Sequence, residues 1–179
     1  DVVYTFNLGK RAIIKKINFL GNKIFKDVRL RNVIKSEEGR FWKIISTSKY
    51  LDEQKVKLDE SLLFKYFKNK GYYNVKIKSS YAKIIDNEFF ELNFNIDAGN
   101  KYYFNDISMK VDTDFSDENF FKLDKIFKNL KGKKYSINSL NKILKEIDSL
   151  ALQKEFVFLN AKYEEKVLDD NKIDIEFLF

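Results

Sequence analysis

The chain has 179 residues, 44% of them hydrophobic and 16% aromatic, which suffices for one or two packed domains and excludes wholesale disorder despite 34% charged residues. It contains neither Cys nor His, which excludes a disulfide scaffold, a thiolate zinc site, an iron–sulfur cluster and a cysteine nucleophile, and removes the commonest general base. Its 34 Lys and Arg against 27 Asp and Glu give a formal net charge of +7.

The start, Asp1-Val2-Val3-Tyr4, has no basic n-region, no signal-peptide core and no initiator Met, so we expect a piece of a longer, processed chain. No apolar run approaches the roughly 18 residues of a membrane span. Val2, Tyr4, Phe6 and Leu8 alternate up to Gly9 as a strand would. A second alternating run follows from Arg11 to Phe19 and stops at Leu20-Gly21-Asn22, a pair suited to left-handed turn conformations. Asp27 is placed to cap a short helix carrying Val28, Leu30, Val33 and Ile34, closed by Glu37-Glu38-Gly39. The apolar loop with Phe41, Trp42, Ile44 and Ile45 is read as folded onto the core, with Trp42 either a core plug or part of a partner-binding patch.

Asp52 opens a long helix with Leu58, Leu62 and Tyr66 on one i, i+4 line and Leu63 with Phe67 on the next, and Gly71 is placed to stop it at the left-handed C′ position. Tyr73, Val75 and Ile77 then alternate, a polar turn falls at Asp86-Asn87, and a closing strand runs from Glu88 to Asp97 before Ala98-Gly99. The same order recurs: an alternating run from Lys101 to Val111, helices over about 117–129 and 137–154, and strands over about 156–165 and 172–179 joined at Asp169-Asp170-Asn171. The chain therefore reads as the last strand of a preceding unit (1–9) and two β-α-α-β-β units, 10–99 and 100–179. Neither helix pair can bury its own apolar stripe. The fold class is α+β, with both helices of each unit on one face of a three-stranded mixed sheet.

Ile13-x3-Ile17-x-Phe19-x-Gly21-Asn22-x2-Phe25, then Lys70-Gly71-Tyr72-Tyr73, then the strand into Asp97-Ala98-Gly99, resembles the POTRA repeat of the Omp85 superfamily of outer-membrane β-barrel assembly proteins. The stretch Gly39-Arg40-Phe41-Trp42 through Ser48-Lys49-Tyr50 to Gly71-Tyr72 is most similar to the third of five repeats in the bacterial family member, which makes the second unit fourth-like. That unit departs from the pattern, with Lys154-Glu155-Phe156 in place of Gly-Tyr and no Gly-Asn turn after Val111. The resemblance implies a non-enzymatic periplasmic module attached to a C-terminal β-barrel of the same chain. Its implied partners are unfolded outer-membrane β-barrel proteins and Bam-type lipoproteins, with room for contact with the membrane surface.

No catalytic, cofactor or metal site is expected. Asp169-Asp170 and Glu164-Glu165 read as exposed acids near a hairpin turn, and Ser46-Thr47-Ser48 lacks a His partner. The candidate site is the sheet edge at Tyr72 to Tyr81, specifically Tyr73, Asn74, Val75, Lys76, Ile77, Lys78 and Ser79, with a counterpart at Phe156 to Glu165. An unpaired row of N–H and C=O groups accepts extended peptide as an added strand. Lys76 and Lys78 alternate along that edge, where charge discourages edge-to-edge aggregation. Gly99, Asn100 and Lys101 form a short interdomain hinge. The net charge leaves one alternative, a basic nucleic-acid-binding repeat protein. Against it, Arg occurs only at positions 11, 29, 31 and 40 and the lysines mostly stand singly among acids, with a denser cluster at Lys131-Gly132-Lys133-Lys134, so no nucleic-acid partner is expected.

Overall fold

The computed structural model describes residues 12–21, 24–39, 47–86, 88–111, 121–153 and 160–178. The leading strand 1–9, Asn22, the Trp42 loop, Ser46, Asn87, the start of the second unit's first helix, the segment Lys154-Glu155-Phe156 through Leu159, and Phe179 lie outside the described residues. Two compact units emerge. One holds the described residues up to Tyr66 together with Lys76–Asp97; the other holds Phe67–Val75 together with Ala98 onward.

In the first unit β1 (Ile13–Leu20) is followed by α1 (Asp27–Arg31), a 3₁₀ turn at Thr47–Lys49, α2 (Glu53–Lys68), β2 (Lys76–Asp86) and β3 (Phe89–Asp97). The sheet order is β1-β3-β2, with β1 parallel and β2 antiparallel to β3. The closing strand β3 is central because a three-stranded sheet with helices on one face buries its middle strand most deeply: Leu92, Phe94 and Ile96 are all buried. Phe19 stacks on Phe94 at 5.7 Å between centroids, and Leu30 of α1 and Leu63 of α2 are fully buried with Ile14 and Ile17 of β1.

Three details of the helices differ from the sequence reading. Asp27 does not cap α1 but is its first residue; Lys26 holds the capping position without a side-chain bond, and Asp27 faces Arg31 one turn on at 3.9 Å. The helix ends at Arg31 after five residues, so Val33 and Ile34 lie beyond it. In α2 the inward line is Asp59–Leu63–Phe67, all three fully buried, whereas Leu58 is 48% exposed. Asp59 holds that buried place because its carboxylate accepts the backbone N–H of Lys35 (2.6 Å) and of Ser36 (3.1 Å), which offsets the cost of burying it. Asp52 does cap α2, accepting the N–H of Lys55 at 2.7 Å.

The second unit repeats the plan: β4 (Tyr103–Lys110), α3 (Phe121–Leu130), α4 (Ile137–Gln153), β5 (Lys162–Leu168) and β6 (Lys172–Leu178), in the sheet order β4-β6-β5 with β4 parallel and β5 antiparallel to β6. The stripe of α4 is buried at Leu140, Ile143, Ile147, Leu150 and Ala151, and Phe127 of α3 stacks on Phe177 at 5.6 Å. The β5–β6 connection is the anticipated Asp169-Asp170-Asn171, with Asp170 and Asn171 at φ of 59° and 57°, a conformation that these two residue types tolerate.

Candidate strand-binding edge

The anticipated edge strand exists but is displaced along the chain. It begins at Lys76 rather than Tyr72 and runs to Asp86. Tyr73, Asn74 and Val75 precede it in a turn and belong to the second unit; Lys76, Ile77, Lys78 and Ser79 open the strand. Among the described residues β2 pairs only with β3, from Lys76 opposite Asp97 to Asp86 opposite Phe89. The register slips between Ile77 and Ser79, so Lys78 is an extra residue. Its ammonium lies 2.9 Å from the Asp97 carboxylate, and it does not alternate simply with Lys76 as the sequence suggested. From Tyr81 to Asp86 every residue is exposed, including the apolar Tyr81, Ile84 (68%) and Ile85.

The sheet's other edge is occupied. On the outer side of β1 the N–H of Leu51 donates to Ala12 O (2.9 Å) and the N–H of Gly39 to Ile14 O (2.7 Å). Further along, the N–H of Ile17 donates to Glu38 Oε1 (3.0 Å), while Arg31 Nη2 donates to Ile17 O (2.9 Å). In the second unit the outer side of β4 is taken at Phe104, whose N–H donates to Lys133 O (2.9 Å) and whose carbonyl accepts the N–H of Gly132 (2.8 Å). The counterpart of β2 there is β5, which pairs only with β6 among the described residues; of the anticipated counterpart 156–165, residues 156–159 lie outside the described residues.

The turn after α2 explains why β2 does not start earlier. The end of α2 closes with Tyr72 N–H donating to Phe67 O and Gly71 N–H donating to Lys68 O, both at 3.1 Å, the Schellman pattern with Gly71 at C′ and φ of 99°. The Phe67 and Tyr72 rings meet edge to face at 5.9 Å. The carbonyl of Gly71 then accepts the N–H of Tyr102 at 2.7 Å, and Asn74 Nδ2 donates to Tyr102 Oη at 2.8 Å. Gly99, Asn100 and Lys101 sit outside regular secondary structure beside this turn, with Lys101 Nζ 5.5 Å over the Tyr72 ring.

Tyr73 packs edge to face on the fully buried Tyr135 at 5.0 Å, under Lys68 Nζ at 4.5 Å. Both phenols donate to one carboxylate, Tyr73 to Glu165 Oε2 at 2.9 Å and Tyr135 to Glu165 Oε1 at 2.7 Å. Burial, reinforced by the hydrogen bond to Glu165, pushes the Tyr73 hydroxyl up to about 12 and that of Tyr135 higher still. Burial raises Tyr163 as well. Glu165 is thus no turn acid: it lies within β5 on the same side as Tyr163 and is partly buried. Sequence reasoning missed it, and missed Asp59 and the Arg31–Glu38 pair. A period-2 reading of 163 and 165 as inward positions contained the signal for Glu165, and the i−4 step from Leu63 contained that for Asp59.

Residues 12–99 match the family model described as POTRA, surface antigen variable number repeat. The chain is 29% identical over 110 residues to outer membrane protein assembly factor BamA of Neorickettsia risticii (61% of this chain, 15% of that protein). It is 24% identical over 150 residues to BamA of Neisseria meningitidis serogroup B (83% and 19%). The chain thus spans less than a fifth of the length of these relatives. Among solved structures, the fold is similar to the POTRA3-5 crystal structure of Haemophilus influenzae BamA, with a TM-score of 0.71 and 14% identity over 96% of this chain and 68% of that one. POTRA1-2 of the periplasmic domain of Omp85 from Anabaena gives a TM-score of 0.54 at 11% identity, over 94% of each chain.

Proposed function

We propose, on the premise that the chain belongs to the POTRA family through residues 12–99, that it is a non-enzymatic periplasmic module in the assembly and insertion of outer-membrane β-barrel proteins. The observation that carries this reading is β2: a strand of 11 residues with, among the described residues, a single partner strand and exposed Tyr81, Ile84 and Ile85 along its outer half. Extended segments of unfolded β-barrel proteins add to it as a fourth strand. Main-chain hydrogen bonds supply the affinity and side chains little selectivity, which suits a module that meets many substrates. The relatives, both named outer membrane protein assembly factors, support the process.

Bam-type lipoproteins and a β-barrel C-terminal in the same polypeptide complete the set of partners, and that barrel holds the module in the periplasm. Gly99, Asn100 and Lys101 serve as a limited hinge between the repeats.

Amide shift mapping with extended peptides taken from barrel strands tests the reading. The expected result is weak binding with shifts along residues 76–86 and little dependence on peptide sequence. Shifts confined to the helices, with none on β2, would sink it.

A further inference from the structure

A three-stranded sheet has two edges, and a module that receives extended chain at one of them must keep the other shut. In the first unit the shutting of β1 is done at Ile17 by two side chains. Glu38 Oε1 accepts the Ile17 N–H at 3.0 Å and Arg31 Nη2 donates to the Ile17 carbonyl at 2.9 Å. These are the one donor and one acceptor that an added strand would use at an outward-facing residue. Arg31 Nε lies 3.1 Å from Glu38 Oε1, with the side chains only 30% and 19% exposed, so the two are tethered as an ion pair. Asp27 steadies the guanidinium from one helical turn away at 3.9 Å.

The neighbouring outward carbonyls of β1, at Ala12 and Ile14, are filled by the backbone N–H groups of Leu51 and Gly39. Among the described residues, Ile17 is a place along this row where side chains rather than backbone do the work. In the second unit Phe104, which like Ile14 precedes the register slip of its strand, has both groups taken by backbone, from Gly132 and Lys133.

We propose that Arg31 and Glu38 together act as a strand surrogate, closing β1 to extended polypeptide and confining strand capture to β2. A real fourth strand at β1 would only move the problem outward, because it would present its own unpaired row. Two side chains satisfy Ile17 and end the sheet. Beside the pair lies a pocket of about 250 Å³ that already reaches Ile17 and the exposed Val28, so loss of the pair opens an existing recess onto the strand.

That capture occurs at β2 rests on the function proposed above; the closure of β1 does not, and the experiment separates the two. In Arg31→Ala/Glu38→Ala, which removes both halves of the pair together, added barrel-derived peptide should give new amide shifts along Ile14–Phe19, and sedimentation should show concentration-dependent self-association absent from the parent. Glu38→Gln, which keeps an acceptor for Ile17, should behave as the parent. A folded, monomeric double variant with no shifts on Ile14–Phe19 overturns the proposal. As a measurement independent of peptide, Glu38→Ala alone should speed hydrogen exchange of the Ile17 amide at least tenfold relative to Leu92 in the central strand; unchanged exchange also overturns it. Absence of shifts on β2 in the parent counts against the proposed function only, leaving exchange and self-association to judge the pair.

Discussion

Tyr73 and Glu165, 92 positions apart in the chain, meet in a 2.9 Å hydrogen bond that Tyr135 completes from the other side of the same carboxylate at 2.7 Å. Neither tyrosine can ionise without placing a second negative charge against Glu165 in a partly buried site, so both resist deprotonation when folded. The unfolded chain, with ordinary tyrosines, loses these protons near pH 10. Since the unfolded state then binds fewer protons than the folded one, stability must fall as pH rises through that window. The melting temperature should hold up to about pH 10 and decline as the pH approaches the Tyr73 value of about 12. Tyr73→Phe should flatten the decline, and spectrophotometric titration should show a late-ionising fraction among the 10 tyrosines. A profile identical in parent and variant would separate Tyr73 from the effect.

Gly71 and Gly132 both have positive φ, 99° and 76°, but in different surroundings. A Cβ on Gly71 would fall 2.8 Å from Lys101 Cγ and 3.3 Å from Tyr102 O, whereas one on Gly132 would meet nothing within 4 Å. Gly132→Ala should therefore cost about 1 kcal/mol, the backbone cost alone. Gly71→Ala should cost clearly more. Urea unfolding of the two variants measures the difference; equal losses would mean that Lys101 and its neighbours give way freely.

Asp59 offers a sharper loss than its exposed neighbours on α2. Asp59→Ala leaves the N–H groups of Lys35 and Ser36 without their acceptor in a buried place, for a cost of about 2–3 kcal/mol. Leu58→Ala, one residue earlier and half exposed, should cost well under half of that. Chemical denaturation of both decides it.

On β2, Ile84→Lys should leave the melting temperature within about a degree or two, since a 68% exposed side chain contributes little packing. Peptide affinity should fall severalfold as an apolar contact at the edge is replaced by charge. Retained affinity would place the binding surface inward of residue 84.

The parts legible in the sequence were those with a local cause. Period-2 alternation marked β1, β3 and β6, the helix read over about 137–154 is α4, and Asp52 and Gly71 stood at the two ends of α2 because capping is settled within one helical turn. Tyr73 and Val75 misled for the same reason. Their alternation with Ile77 imitates a strand, yet they pack in the second unit, with Val75 only 3% exposed, and the ladder starts at Lys76.

By itself, then, the sequence determined the repeat, the β-α-α-β-β order and the two ends of α2, since spacing and turn chemistry act between residues a few positions apart. Only the tertiary structure decided where the edge strand begins and which groups fill the outer side of β1. Ile17 meets Arg31 and Glu38 across separations of 14 and 21 residues, and Glu165 gathers Tyr73 and Tyr135 across 92 and 30. A hydrogen bond needs only about 3 Å in space and has no required spacing in sequence, so partners so far apart carry no local pattern that announces them.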